Sequence, residues 1–441
     1  MKYKIGLVSL GCAKNQTDAE TMLALLLGDG CTTVSDPAEA DVIIVNTCGF
    51  IDSAKQESIE AILEMAQYKE IGACRRLIVT GCLAERYSSE ILIDIPEVDA
   101  VLGTGDYDKI AEIIRRAFTE DGVPVISGNI DRTPECAIDR VLLTPPYTAY
   151  LKIADGCDNN CTYCAIPKIR GHFRSRTIAD IVSEAEGLAA NGVKELILIA
   201  QDTTRYGKDI DTTLAELLRE LVKIDRIEWI RVHYYYSEAI TKELIDTMAQ
   251  YDKICHYIDM PVQHADNYIL RRMARRTSRE EMEEKIAYMR QKLADCYIRT
   301  SIIVGFPGET EEHFQNLYDF VKKMRFDRMG VFTYSQEEGT PAASFPDQID
   351  EEIKEERLDR LMTLQQGISL ELNRSKIGKI LEVLVEGYDE DNFLFYGRGR
   401  GDSIEVDGKI YFATVDDVTP GDIIKVKILD ASEYDLTGER V

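Results

Sequence analysis

The sequence predicts an α/β protein in three parts. These are an N-terminal parallel-sheet domain, a central domain of six strand-and-helix units, and a small all-β barrel at the C-terminus. Two periodicities carry this. Short β-branched runs alternate with longer amphipathic stretches up to about Ser335, and after Lys376 the apolar residues recur every second position. Length agrees, because 441 residues at roughly 150 per domain make about three cores.

In order, the runs KIGLVSL, DVIIVNT and RRLIVTG read as strands of the first domain, residues 1–120. SAKQESIEAILEMAQ and YDKIAEIIRRAF read as its helices. Residues 121–146 carry Gly122, Pro124, Gly128, Pro134, Pro145 and Pro146 with little periodicity, which suits a linker. The central domain, 147–374, has candidate strands AYLKIA, ELILIA, WIRVHY, YIDMPV, RTSIIVG and RMGVFTY. Six successive units suggest a barrel or part-barrel, although an open doubly wound sheet has the same period. The charged stretch DEEIKEERLDRLMTLQQGISLELNRS then reads as one long linking helix. Residues 375–441 hold ILEVLVEGY, FLFYGRG, KIYFATV and IIKVKIL between Gly and Asp turns, the pattern of a compact barrel.

Composition narrows the function. Hydrophobic residues at 45% and charged residues at 29% exclude a collagenous or disordered chain. The net charge of -26 is a poor balance for neutralising phosphates and fits a basic partner better. The N-terminus has neither the apolar core of a signal peptide nor a membrane span, so a soluble protein of the reducing cytoplasm is expected. There the eleven cysteines, an odd number, read as metal or redox chemistry rather than as a disulfide framework.

Two constellations of cysteine stand out. Cys157, Cys161 and Cys164 form CxxxCxxC after the first strand of the central domain, and three thiolates in one loop can converge on a soft metal centre. Zinc with His172 as fourth ligand is the competing reading, but zinc motifs usually pair CxxC units. Cys12, Cys48 and Cys82 each stand just past an apolar strand, and their separations of 36 and 34 residues are each about one β-α-β unit. Parallel pairing would bring all three to the carboxyl edge of one sheet, where open α/β sheets bind ligands. The bland alternative is three small residues that happen to fall at strand ends. The adjacent Gly11, Gly49 and Gly81 favour close approach of backbone to a ligand instead. Cys31, Cys74, Cys136, Cys255 and Cys296 match neither pattern and read as packed or surface thiols.

The stretch GCDNNCTYCAIPKIRGHFRSR resembles the cluster loop of the radical S-adenosylmethionine superfamily. With the N-terminal cysteine triad and the C-terminal β module, the whole chain resembles the methylthiotransferases of that superfamily. The resemblance implies a radical-SAM (β/α)6 partial barrel and a TRAM module. It also implies a 4Fe-4S cluster on Cys157, Cys161 and Cys164, an auxiliary 4Fe-4S cluster on Cys12, Cys48 and Cys82, and S-adenosyl-L-methionine as cofactor. Tyr163 matches the aromatic residue common between the last two cysteines. Gln201, Asp202 and Gln263, at strand ends where barrel active sites gather, are candidates for lining the cofactor or active site, though each could equally cap a helix. In VGFPGET, at 304–310, backbone amides could meet the cofactor's polar end.

Lys168, Arg170, Arg174 and Arg176 form a basic run that could offset cluster charge and grip the cofactor carboxylate, or meet RNA. The second basic run, RRMARR at 271–276, reads as a solvated helix face. The family divides between enzymes acting on adenosine in transfer RNA and enzymes acting on an aspartate of the basic ribosomal small-subunit protein S twelve. SLGCAKNQTDAE, DMPVQHADNYILRRM and YSQEEGTPAA resemble the second branch. Residues 375–441 carry 15 acidic against 8 basic residues, which argues independently for a basic protein and against tRNA. The resemblance further implies an electron donor and no membrane partner. A tRNA enzyme and a non-catalytic iron-sulfur ribosome assembly factor stand as alternatives.

Overall fold

The structure is a computed structural model that describes residues 2–132 and 140–441; Cys136 lies outside the described residues. The three long N-terminal runs form adjacent parallel strands, Lys4–Ser9, Val42–Thr47 and Arg76–Gly81, paired in register from Ile5↔Val42 to Thr47↔Gly81. Val42 to Val45 and Leu77 to Val79 are fully buried because helices cover both faces of the sheet, which is why these strands read as continuous apolar runs. Three shorter strands complete it: Thr32–Thr33 beside the first, then Ala100–Leu102 and Val125–Ile126 at the far edge. The last of these comes from the segment read as a linker. Chain order reverses between Lys4–Ser9 and Val42–Thr47, so a topological switch point falls where Cys12 and Cys48 emerge.

The six central strands all form, as Thr148–Lys152, Glu195–Ile199, Trp229–Val232, Tyr257–Asp259, Tyr297–Val304 and Arg328–Thr333. The first three pair in parallel, as do the last three, and a parallel bridge Ile230↔Ile254 joins the halves. Neighbours therefore follow sequence order, which a doubly wound sheet would break, and the sheet is a part-barrel rather than a doubly wound one. Its outer face packs on helices such as Ile178–Ala190 and Leu214–Leu221, and Glu351–Arg374 is the long linking helix.

Five strands close the C-terminal barrel: Ile380–Asp389, Leu394–Gly399, Ile410–Ala413, Ile423–Ala431 and Leu436–Arg440. The fifth was not legible in the sequence, because LTGER has no second apolar residue to alternate with Leu436. Between the second and third strands, loop 400–408 drives into the concave side of the central sheet. Ile404 packs on Tyr150, Ile197 and Ile199, Ser403 Oγ lies 2.9 Å from His233 Nε2, and Tyr257 donates to Asp407 at 2.7 Å. Arg398 reaches Glu195 at 2.6 Å from the same side. The module is thus keyed into the barrel by an apolar plug and buried ion pairs. Among the described residues no helix is long and apolar enough to cross a membrane.

Candidate functional site

Cys12 precedes helix Ala13–Gly28, Cys48 follows Thr47, and Cys82 opens the short helix Cys82–Arg86. The turns carrying them pack directly on one another. Gly11 has φ +93, and a Cβ there would lie 2.9 Å from Cys48 Cβ; Gly81 has φ +92, and its Cβ would lie 2.4 Å from the Thr47 carbonyl oxygen. Close approach is required as expected, but what these glycines meet is the neighbouring cysteine turn, not open space for a ligand.

Electrostatics ties the triad together. Burial pushes the Cys82 thiol up to about 12 against the pull of Arg170, with Cys12 and Cys48 adding to the rise. Burial likewise raises Cys48. Cys12 goes the other way: burial opposes ionisation, but Lys14, Arg170 and the backbone N–H groups of Asn15 and Lys14 outweigh it and lower the thiol.

Arg170 belongs to the central domain's cysteine loop, yet it serves the N-terminal triad. It is 2% exposed and donates to Asp18 Oδ2 at 2.6 Å, Asp155 Oδ2 at 3.3 Å and Asn15 Oδ1 at 3.3 Å, and it approaches Cys82 Sγ at 3.8 Å. Lys152 shares the same two carboxylates, at 2.5 Å and 3.3 Å. The rest of the basic run is also engaged within the chain. Arg176 pairs with Asp180 and Glu184, Arg174 donates to the His172 carbonyl, and Lys168 donates to the Gly339 carbonyl. With these groups occupied, the run is an internal clamp rather than an RNA-facing patch. The two domains also meet where Lys55 and Arg86 share Glu337, at 3.0 Å and 3.1 Å.

The second triad lies in the loop after strand Thr148–Lys152. Cys157 N–H donates to the Gly171 carbonyl at 3.0 Å, Cys164 N–H donates to the Cys161 carbonyl at 3.1 Å, and Cys161 Sγ lies 3.3 Å from the Tyr236 hydroxyl. Burial raises the Cys157 thiol to about 11 and raises Cys164 further, each with a contribution from Cys161. His172 is not aimed at this group; its ring is exposed and bonds Asp158 at 2.9 Å. A cavity of about 170 Å³ opens beside the loop, lined by Asn159, Asp202, Arg205, Tyr236 and Glu238 among others.

The remaining candidates divide. Asp202 is buried, accepts from Asn159 at 2.9 Å, and caps the turn Thr203–Arg205, so it both faces the loop and does the structural work that competed with that reading. Gln201 donates to Asp155 at 2.9 Å while, among the described residues, its buried Oε1 has no partner. Gln263 is held by its backbone, with φ 68, between Ser301 and Ile303. Tyr163 packs with Ile303 and Phe306 beside the triad. VGFPGET departs from expectation: the amides of Gly305 and Phe306 donate to Glu309 Oε2 of the same loop, and Arg357 donates to the other oxygen of that carboxylate at 2.9 Å. Those two amides are therefore not open to a cofactor. RRMARR also differs. Arg275 is 5% exposed, lies 3.9 Å over the Tyr236 ring and donates to Ser237 and Glu238, because the short helix Asn267–Arg272 ends before it and turns it inward. Nothing local in the sequence marked Arg275, and Lys14 was signalled only by its place beside Cys12. The described bystander cysteines are free thiols, with Cys31, Cys74 and Cys255 buried.

Three family descriptions match the chain: Uncharacterized protein family UPF0004 over residues 4–103, Radical SAM superfamily over 151–321 and TRAM domain over 377–441. The chain is 52% identical over 438 residues to Ribosomal protein uS12 methylthiotransferase RimO of Clostridioides difficile, covering 99% of this chain and 98% of that one. It is 50% identical to the protein of that name from Pelotomaculum thermopropionicum, over the full length of both. Among solved structures, the radical S-adenosylmethionine methyltransferase TsrM from Kitasatospora setae superposes with a TM-score of 0.59 at 13% identity, over 83% of this chain and 89% of that chain, a likeness of fold.

Proposed function

The chain belongs to the RimO family of radical S-adenosylmethionine methylthiotransferases, and from that premise we propose that it adds a methylthio group to the β-carbon of an aspartate of ribosomal protein uS12. The enzyme uses S-adenosylmethionine and 4Fe-4S chemistry. When bound, these groups supply a hydrogen-abstracting radical and a methylated sulfur for transfer. We assign Cys157, Cys161 and Cys164 to the radical cluster and Cys12, Cys48 and Cys82 to the auxiliary one. The donor set fits: two groups of three free thiols, soft ligands for iron, with Lys14 and Arg170 beside Cys12 to favour its thiolate against burial.

The protein's own contribution is positional. Asp18, Asp155, Lys152 and Arg170 tie the helix that follows Cys12 to the strand and loop that carry the second triad. The observation that carries the reading is Arg170, which leaves the radical loop and reaches Cys82 of the other triad. Tyr163, Gln201, Asp202 and Gln263 are assigned to binding S-adenosylmethionine or lining the active site. We take the units as 1–120, 147–374 and 375–441 with 121–146 between them, and the setting as the cytoplasm with a separate electron donor. The acidic C-terminal module supports a basic protein substrate, since two of its few cations, Arg398 and Arg400, turn inward to Glu195 and the Asp252 carbonyl.

Mass spectrometry of uS12 and tRNA from cells lacking the gene tests the substrate: the modification disappears from uS12 with tRNA unchanged, and the opposite result refutes the reading. Anaerobic reconstitution with about eight irons per chain tests the two-cluster assignment.

A further inference from the structure

We propose that Glu405, at the tip of loop 400–408, is a specificity-determining residue that receives a basic side chain neighbouring the target aspartate in uS12. The inference rests on the function proposed above and says where the C-terminal module reads its substrate. The loop is closed on itself, because Ser403 N–H donates to Asp407 Oδ2 at 2.8 Å and Asp407 N–H donates to the Ser403 carbonyl at 3.2 Å. It is anchored on both flanks, where Asp402 takes Arg328 at 2.6 Å and Asp407 takes the Tyr257 hydroxyl at 2.7 Å. Ile404, Glu405 and Val406 form the tip between these anchors.

Residues from all three parts of the chain meet at Ile404. It packs on Tyr150, Ile197 and Ile199 of the central sheet, and Ala13, the residue after Cys12, packs against the same cluster with Tyr234. Glu405 follows with φ 62, a left-handed conformation that disfavours any residue with a Cβ. Its carboxylate is felt at the concave face of the sheet: burial and then the Glu405 charge push the Tyr150 hydroxyl up. Asp402 and Asp407 are matched by Arg328 and Arg299, whereas Glu405 is exposed and makes no hydrogen bond or ion pair among the described residues.

The concave side is also open beside the loop. On Arg328–Thr333, the edge strand of its sheet, Met329 and Val331 pack on the outer core, so Arg328 and Phe332 face the concave side. Phe332 remains 51% exposed there, as does Val406 next to Glu405. Apolar side chains left uncovered around a carboxylate on a concave face suit a polypeptide segment. Charge decides which part of that segment Glu405 meets. A second carboxylate repels the target aspartate itself, so the counterpart is a cation nearby in a basic protein. One ion pair at this point sets which aspartate is presented and in what register. The competing role, a solvated loop residue, predicts no dependence on substrate charge next to the target.

The test measures binding of the cluster-loaded enzyme, prepared without oxygen, to purified uS12 and to uS12 in which each Lys or Arg neighbouring the target aspartate is singly changed to Gln. One of these changes weakens binding to the wild type roughly five- to tenfold, between an exposed and a fully desolvated ion pair. Glu405→Gln weakens binding of unaltered uS12 to the same degree and no longer distinguishes the two. Glu405→Lys prefers uS12 with Glu at that position over unaltered uS12. Iron content and urea unfolding confirm that each variant is loaded and folded. Binding of every uS12 variant within about twofold by the wild type overturns the inference without recourse to any enzyme variant. So does Glu405→Gln that keeps the discrimination. If the wild type neither binds nor modifies unaltered uS12, the proposed function fails instead, and the two failures are told apart.

Discussion

Removing the charge of Glu195 should loosen the C-terminal barrel from the central domain, and the size of the effect follows from its surroundings. Glu195 is fully buried at the start of its strand and takes Arg398 Nη2 at 2.6 Å and Arg231 Nε at 3.0 Å. Burial alone would raise its carboxyl, but Arg398 and then Arg231 hold it down to about 2, from an ordinary 4.5. At about 1.36 kcal/mol per pH unit, that gap is worth about 3 kcal/mol of stability. Because the folded value is depressed, the contribution is complete above about pH 4.5 and is lost as the pH falls toward 2. Glu195→Gln keeps the shape but leaves Arg398 with Glu386 as its one carboxylate and Arg231 with only the Gly399 and Arg400 carbonyls, so at pH 6 it should cost about 3 kcal/mol. The assay is built in: Trp229 is the only tryptophan, and it is buried with Tyr147, Tyr257 and Leu384 where the two domains meet. Urea unfolding followed by its fluorescence should show the variant's midpoint far below wild type at pH 6, with the difference shrinking by about 1 kcal/mol at pH 3.5. A variant within about 0.5 kcal/mol of wild type at pH 6, or a difference that does not move with pH, refutes the electrostatic account.

Other outcomes follow from the same geometry. Cys12→Ala should lose about four irons per chain and all methylthio transfer while still cleaving S-adenosylmethionine; retained full turnover in a product assay would sink the two-cluster assignment. Ile404→Ala empties the plug in the concave face, where the side chain is 5% exposed, and should cost about 2–4 kcal/mol by the same fluorescence measurement. Association with uS12 should slow several-fold between roughly 50 and 300 mM salt, because acidic residues outnumber basic ones almost two to one in the C-terminal module. A rate that stopped-flow finds indifferent to salt would remove charge steering from the account.

Much of the fold was readable because its signals are local. Each long apolar run between two glycine or polar turns became a strand, since parallel strands covered on both faces need no alternation. The strands that escaped, among them Thr32–Thr33, Ala100–Leu102, Val125–Ile126 and Leu436–Arg440, are too short or too polar to show a period, and they form because neighbouring strands offer hydrogen bonds. RRMARR misled because the helical pattern there ends at Arg272, and a single turn of chain carries Arg275 inward.

The sequence by itself determined the two groups of three cysteines, the order of the parallel strands that delivers one group to a common edge, and the acidity of the C-terminal module. All three are properties of spacing and composition, and folding cannot alter them. Only the tertiary structure decided which charges meet. Asp18 and Arg170 are 152 positions apart, Glu195 and Arg398 are 203 apart, and Ile404 and Tyr150 come from different domains. A buried ion is tolerable only beside its counter-ion, and that pairing is set by how domains dock rather than by any pattern along the chain.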